Sequence, residues 1–516
     1  MSSTPDIWYR PMRYIAILYI FILSFVNSDV FAGYKDDIGY TALQAEFGLS
    51  IPRGENISQV AQAEGALLLD HDGDDQTDKI KAWAPNPAHP QFTGKSIHDK
   101  SGSPGFYSGH ATSVGSRFYG NTGSIAPGLK SIECFSADHW LGSGYLMGGL
   151  LLKPLISQSR VANHSWIGNT GARNPEMLRR LDWVINVDEY IQAVGPCRSK
   201  QSLLASSFNA IAVGQASGES GAGSIAVDSV YNSGRTCPHL IAPFKTASAA
   251  TPVVASTAAV LVELGHSHPG LSTDPVTQST TNRAGNTIYN AERSEVIKAV
   301  LMAGADRVTH NTVIIDGNTP NIVDYRVDPT NQTSNGLDRR YGAGQINIYH
   351  SYKMIAAGEK NSKEDQPESA GIIGHHGFDY DPSFGGIDGS NSTASYYFAV
   401  DSDFTRLWAS LVWNIHIDAG SGTIFDGVAT VIDLDLILYD ITNPEAPQLV
   451  AGSMDSRENT ENIWNQLKKN KDYMLQVKPA PGQNEFKWDY ALAWRIDKAS
   501  DDEGHSRRLT GKLKTY

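Results

Sequence analysis

The chain has 516 residues, 41% of them hydrophobic, and a net charge of −13. That length is enough for two or three domains, and the acidic balance argues against a general nucleic-acid binder, which needs a basic face. The three cysteines, Cys134, Cys197 and Cys237, fit no zinc spacing, and an odd count leaves at least one thiol over.

Residues 1–32 read as a secretory signal. Arg10 and Arg13 precede an apolar run, Ile15 to Val26, which is short for a membrane span of about 20 residues. Val30-Phe31-Ala32 fits the small-residue cleavage rule, so the cut is expected after Ala32. This predicts a secreted protein, extracellular or periplasmic, with no membrane contact after cleavage. An uncleaved anchor is the rival reading.

Tyr40 to Phe47 is expected as a short leading helix, and Ile57 to Gly65 as a strand that ends in Glu64 and a glycine. Asp70, Asp72 and Asp74 follow with the alternate spacing of a calcium loop. Lys81 stands where the closing Glu would be, and a solvated acidic loop is the other reading. Gly109-His110-Ala111-Thr112 opens a helix, where a lone histidine is ordinarily a polar cap. A turn at Gly123 to Gly128 leads into a buried strand over 129–135. A further strand runs from Ser159 into Ser165-Trp166-Ile167-Gly168, and a helix over 178–189 and a strand over 190–195 come next. Lys245 to Ser256 then places Ser248 ahead of a helix of small residues, Pro252 to Leu264, with proline at a first-turn position. A serine there lies near free N–H groups and the positive end of the helix dipole, both favourable to a developing oxyanion. The plainer reading of Ser248 is an N-cap.

A polar linker is expected over 358–385 and a β-sandwich over 386–498. Its strands are read at 394–400, 405–413, 434–440, 472–478 and 490–496. Asp433, Asp435 and Asp440 offer oxygens for calcium or simply face solvent. Residues 499–516 read as a polar tail.

Taken in order, these motifs resemble the subtilisin-like serine proteases over about residues 36–357. Ser248, Ala250, Pro252, Val254 and Ala255 match the family's Gly-Thr-Ser-x-Ala-x-Pro-x-Val-Ala loop, whereas Lys245, Thr246 and Ala247 depart from it. His110 matches the family's His-Gly-Thr, with Ala111 for the glycine. Glu64 fills the Asp position of the strand-ending Asp-x-Gly. The resemblance implies an α/β fold: a doubly wound, mostly parallel sheet flanked by helices, here followed by a β-sandwich similar to appended jelly-roll domains. It implies Ser248 as nucleophile, His110 as general base and Glu64 as orienting acid, with Asp70 and Asp72 as runner-up acids. Ser165, Trp166, Ile167 and Gly168 would bind peptide or protein substrates.

One departure bears on activity. Pro196 follows Gly195 where the family has an oxyanion-hole asparagine, and proline donates nothing. Losing such a donor costs about 10²–10³ in turnover. Asn209 is the nearest asparagine and reads as structural, which leaves the second donor unidentified. Glu in the acid slot is also similar to sedolisins. A pseudoprotease that binds peptides without turnover is the alternative function. An esterase is disfavoured because no Gly-x-Ser-x-Gly elbow frames the serine.

Overall fold

The structure is a computed structural model describing residues 33–69, 80–195, 197, 201–315, 317–365 and 371–498. The expected signal, the Asp70–Asp74 calcium loop, Pro196 and the polar tail lie outside the described residues.

Alternating apolar residues build a central sheet with two buried faces. The strands are β1 (Gln59–Glu64), a hairpin of β2 (Leu67–Leu69) and β3 (Ile80–Ala82), then β4 (Ser96–Asp99), β5 (Ser131–Ser136), β6 (Ser159–His164), β7 (Ile191–Val194), β8 (Ile211–Gln215) and β9 (Leu240–Ala242). Seven of them pair in the order β4-β5-β1-β6-β7-β8-β9, with every pairing parallel. Successive residues of a strand point to opposite faces. Val60, Val161, Ile191, Ala193, Ile211 and Val213 therefore meet the helix Ala247–Ser267 on one face. Ala61, Ala63, Ala162, Val194 and Ala212 share a second core with the helix Asn174–Asp188. Helices on both faces are what an all-parallel sheet requires, and the expected doubly wound architecture is present.

The helix Ala247–Ser267 is the centre of the first core. Its Ala250, Val253, Val254, Ala255, Ala258 and Ala259 are fully buried. Among the described residues it alone is long and apolar enough to cross a membrane by composition, and it lies buried inside the protein. It starts earlier than the sequence suggests: Thr246 caps it, and Pro252 lies inside it, not in its first turn. A proline there leaves the carbonyl four residues back without its helical donor. That carbonyl belongs to Ser248, and it accepts instead from Ser165 Oγ at 3.2 Å.

The chain runs from β1 to one side of the sheet and from β6 to the other, so the strand order reverses between these neighbours. In open α/β sheets, ligands bind beyond the carboxyl ends of the strands at such a reversal. Glu64 ends β1, and Ser165 follows the last residue of β6.

Two small hairpin strands, β10 (Ser279–Thr281) and β11 (Thr287–Tyr289), precede the C-terminal β region. That region holds β12 (His376–Phe384), β13 (Ala394–Val400), β14 (Thr405–Val412), β15 (His416–Asp418), β16 (Val428–Thr430), β17 (Leu434–Asp440), β18 (Gln448–Ser453), β19 (Thr460–Gln466), β20 (Lys471–Pro479) and β21 (Trp488–Lys498). Two antiparallel sheets, β12-β21-β14-β19 and β13-β20-β17-β18, enclose a core that includes Tyr396, Leu407, Trp413, Leu436, Leu475 and Leu492. The expected β-sandwich is present. The stretch expected as a linker already carries β12, which pairs with β21 along most of its length. Its Gly, Asp and Pro residues disguise it, yet Asp379 is buried and accepts from Tyr396 OH at 2.5 Å.

The sandwich is packed firmly onto the α/β unit. Phe378, Tyr380, Val412, Ala491 and Ala493 belong to the same core as the helix Ala247–Ser267. Cys197 and Cys237 form a disulfide with Cα atoms 5.7 Å apart, and Cys134 is a buried free thiol. Asn209, as its sequence context suggests, is structural. Its amide donates to Asp182 O and Ile415 O, and its Oδ1 accepts from Ile415 N at 2.8 Å. Asn209→Ala leaves buried backbone groups of Ile415 unpaired and should cost about 1–3 kcal/mol, read as a lower urea midpoint at pH 7. An unchanged midpoint would contradict this bridging role.

Candidate active site

Strand alternation sets the first half of the site. Gln62 and Glu64 share the face of β1 that carries Val60, toward the helix Gly109–Phe118. Ser108 caps that helix by accepting from Ala111 N at 3.1 Å, which puts His110 in its first turn. His110 Nδ1 lies 2.9 Å from Glu64 Oε2. Gln62 Nε2 donates to Glu64 Oε1 and to Ala111 O, each at 2.9 Å. Tyr119 OH in turn donates to Gln62 Oε1 at 2.6 Å. The carboxylate is therefore held from both sides. Its side chain is 2% exposed, against 41% for the imidazole.

With Nδ1–H donating to Glu64, Nε2 of His110 is left as the free base. The hydrogen bond that His110 donates to Glu64 raises the His110 pKa above its ordinary value, against burial, which lowers it. The extra methylene of Glu relative to Asp is thus accommodated without losing the acid–imidazole bond. Asp70 and Asp72, the other candidate acids, lie outside the described residues.

The helix Ala247–Ser267 sets the second half. Ser248 is its second residue and is half-buried. In that first turn, Ala249 N and Ala250 N bond to Thr246 O, and Ala247 N bonds to Gln215 Oε1. Among the described residues, no partner is present for the Ser248 N–H, which is where an oxyanion donor is needed. A side chain on Gly195 would come within 2.4 Å of Thr251 Oγ1. Glycine there lets the end of β7 abut this first turn.

The Ser248 hydroxyl donates to Ser165 O at 3.2 Å, and Ser165 Oγ donates back to Ser248 O at the same distance. Among the described residues no hydrogen bond joins Ser248 to His110. The helix bearing His110 packs against the helix bearing Ser248. Glu64 and Ser165 extend adjacent paired strands, Ala63 being level with His164.

The predicted substrate strand divides. Ser165 is buried, and its hydroxyl is turned to the serine helix. Trp166 is half-buried, and a side chain on Gly168 would meet its ring at 3.2 Å. Ile167 is 43% exposed. Gly168 is paired within the chain: its N–H donates to Gln201 O at 2.7 Å, and its carbonyl accepts from Leu203 N at 3.3 Å. It has no free backbone edge to offer a substrate. Sequence reasoning missed Gln62. The signal was its place two residues before Glu64, on the same face of the strand.

No family model matches the chain, and no curated protein matches it. Solved structures similar to it include tripeptidyl peptidase 2, at 11% identity and a TM-score of 0.25, over 75% of this chain and 40% of that one. A periplasmic inhibitor of g-type lysozyme from Aeromonas hydrophila is 13% identical over 24% of this chain and 94% of its own, with a TM-score of 0.16. Similarities at these scores leave the site to be read from its own geometry.

The His110 imidazole should titrate above its ordinary value of 6.5. By linkage, the pair's contribution to stability is complete below the unfolded value and is lost as pH rises through the raised folded value. Glu64→Gln should return the titration downward, followed by the imidazole C2 proton in NMR. A His110 titration unmoved by that substitution would show the bond to be absent in solution.

Proposed function

We propose that the chain is a secreted serine endopeptidase acting through Glu64, His110 and Ser248. The observation that carries this is the 2.9 Å Glu64–His110 bond, made at the carboxyl ends of the strands and accompanied by a helix-start serine. Acid, base and nucleophile occur along the chain in the order of the subtilisin-like proteases, the family the sequence resembles. The Cys197–Cys237 disulfide suits an exported protein, in line with the signal read at residues 1–32.

The chemistry follows from the free Nε2. The Ser248 hydroxyl turns from Ser165 O toward His110 Nε2. Oγ attacks a peptide carbonyl carbon as its proton passes to Nε2, and Glu64 stabilises the imidazolium. The Ser248 N–H faces the developing oxyanion. The tetrahedral adduct expels the amine, which takes the proton from His110. Water then repeats the sequence on the acyl-enzyme and regenerates Ser248.

A second reading is favoured by one observation, the bond of the Ser248 hydroxyl to Ser165 O. A serine held this way belongs equally to a protein that binds peptides in the same cleft without turning them over.

Labelling the mature protein with a fluorophosphonate separates the two. The endopeptidase reading predicts one adduct, on Ser248, lost in His110→Ala and slowed about 10²–10⁴-fold in Glu64→Gln. Ser165→Ala, which removes one bond of the serine pair, should label no slower than the parent. A folded protein that forms no adduct would support the peptide-binding reading.

A further inference from the structure

Away from the candidate active site, one set of metal-ligating side chains converges among the described residues. His350 lies in the helix Ile348–Ala356, His376 begins β12, and Asp497 is next to last in β21. One ligand atom from each lies within 4.8 Å of the other two. His376 Nε2 is 3.3 Å from Asp497 Oδ2. His350 Nε2 is 3.7 Å from Asp306 Oδ1, while its Nδ1 is buried and has no hydrogen-bond partner. The group lines a cavity of about 430 Å³, which gives an ion a way in and room for water.

We propose that His350, His376 and Asp497 form a site for a late first-row divalent cation, with zinc the best fit. Two imidazoles and one carboxylate are a donor set that zinc takes, with water in the fourth position. Ligand bonds of about 2.0–2.2 Å around a tetrahedron place ligand atoms roughly 3.4 Å apart. The His376–Asp497 separation already has that value, and His350 closes on the pair by side-chain rotation. With an ion bound, Asp306, whose Oδ1 is 3.7 Å from His350 Nε2, would serve as the outer carboxylate of a ligating imidazole.

Three cationic side chains that line the same cavity, Lys353, Arg495 and Lys498, oppose the ion. Arg495 Nη1 is 4.0 Å from Asp497 Oδ2. The Arg495 guanidinium is held by Ala303 O and Ala305 O, by Asp306 Oδ1 at 3.4 Å, and by the Trp408 ring, whose centre is 3.9 Å away. It weakens the site without occupying it. The ligands come from the last helix of the α/β unit and from two strands of the sandwich. A bound ion would therefore fasten the two units together and stabilise the folded state by mass action.

Cobalt(II) titration of the untagged, chelator-treated mature protein tests the site. The expected result is one equivalent bound, with the intense visible bands of a four-coordinate site that zinc(II) abolishes by displacement. Zinc should also raise the thermal midpoint. Both responses should vanish in His350→Ala and His376→Ala, each with an unchanged circular dichroism spectrum. Should His350→Ala fail to fold, His376→Gln and Asp497→Asn, which keep side-chain shape, give the same reading. Absence of saturable cobalt binding in the parent would overturn the proposal. So would binding that survives in folded His376→Gln and Asp497→Asn.

Discussion

Burial of the helix Ala247–Ser267 is the constraint on which the rest of the structure depends. A helix lying against a parallel sheet, with further helices around it, must be apolar on every side, and this one buries valine and leucine as well as alanine. Ala250, Ala255, Ala258 and Ala259 meet that need and are completely inaccessible. This depth brings the helix start level with the carboxyl ends of β6 and β7. Glycine at position 195 allows the contact with β7, and the paired bonds of Ser165 and Ser248 make the contact with β6. Pro252 belongs to the same device, since it frees the Ser248 carbonyl that Ser165 then satisfies. The helix thus serves as core and presents the serine at once.

The sandwich depends on the same core. One of its sheets is covered on both faces, by its partner sheet and by the helix Ser294–Ala303. Its inner strand β21 accordingly carries a continuous apolar run, Tyr490-Ala-Leu-Ala-Trp. Polar links such as Asn209 to Ile415 and Arg495 to Ala303 cross the junction in buried positions. The C-terminal unit is therefore part of the folding problem of the α/β unit.

Much of this was legible in the sequence where a local pattern has a physical cause. Alternation and turn residues gave Ala394–Val400 and Leu434–Asp440 to the residue, and the acid slot at Glu64 is paired with His110. What escaped depends on tertiary partners. β12 was hidden because its aspartates are buried, Asp379 against the Tyr396 hydroxyl of another strand and Asp381 against Ser383 N. The first turns of the serine helix were missed because proline ordinarily marks a helix start, and only Ser165 explains why it is tolerated further in. The disulfide pair cannot be read from three cysteines. Gln62 shares a strand face with Glu64, but two of the three groups it connects, Ala111 O and Tyr119 OH, are tertiary partners.

The central claim is that Ser248 forms a covalent acyl-enzyme with His110 as its base. The most direct measurement is the intact mass of the protein after rapid mixing with an activated peptide ester and acid quenching. The account predicts a stoichiometric burst and an acyl group mapped to Ser248. Folded protein that shows no burst, or that carries the acyl group elsewhere, would contradict it.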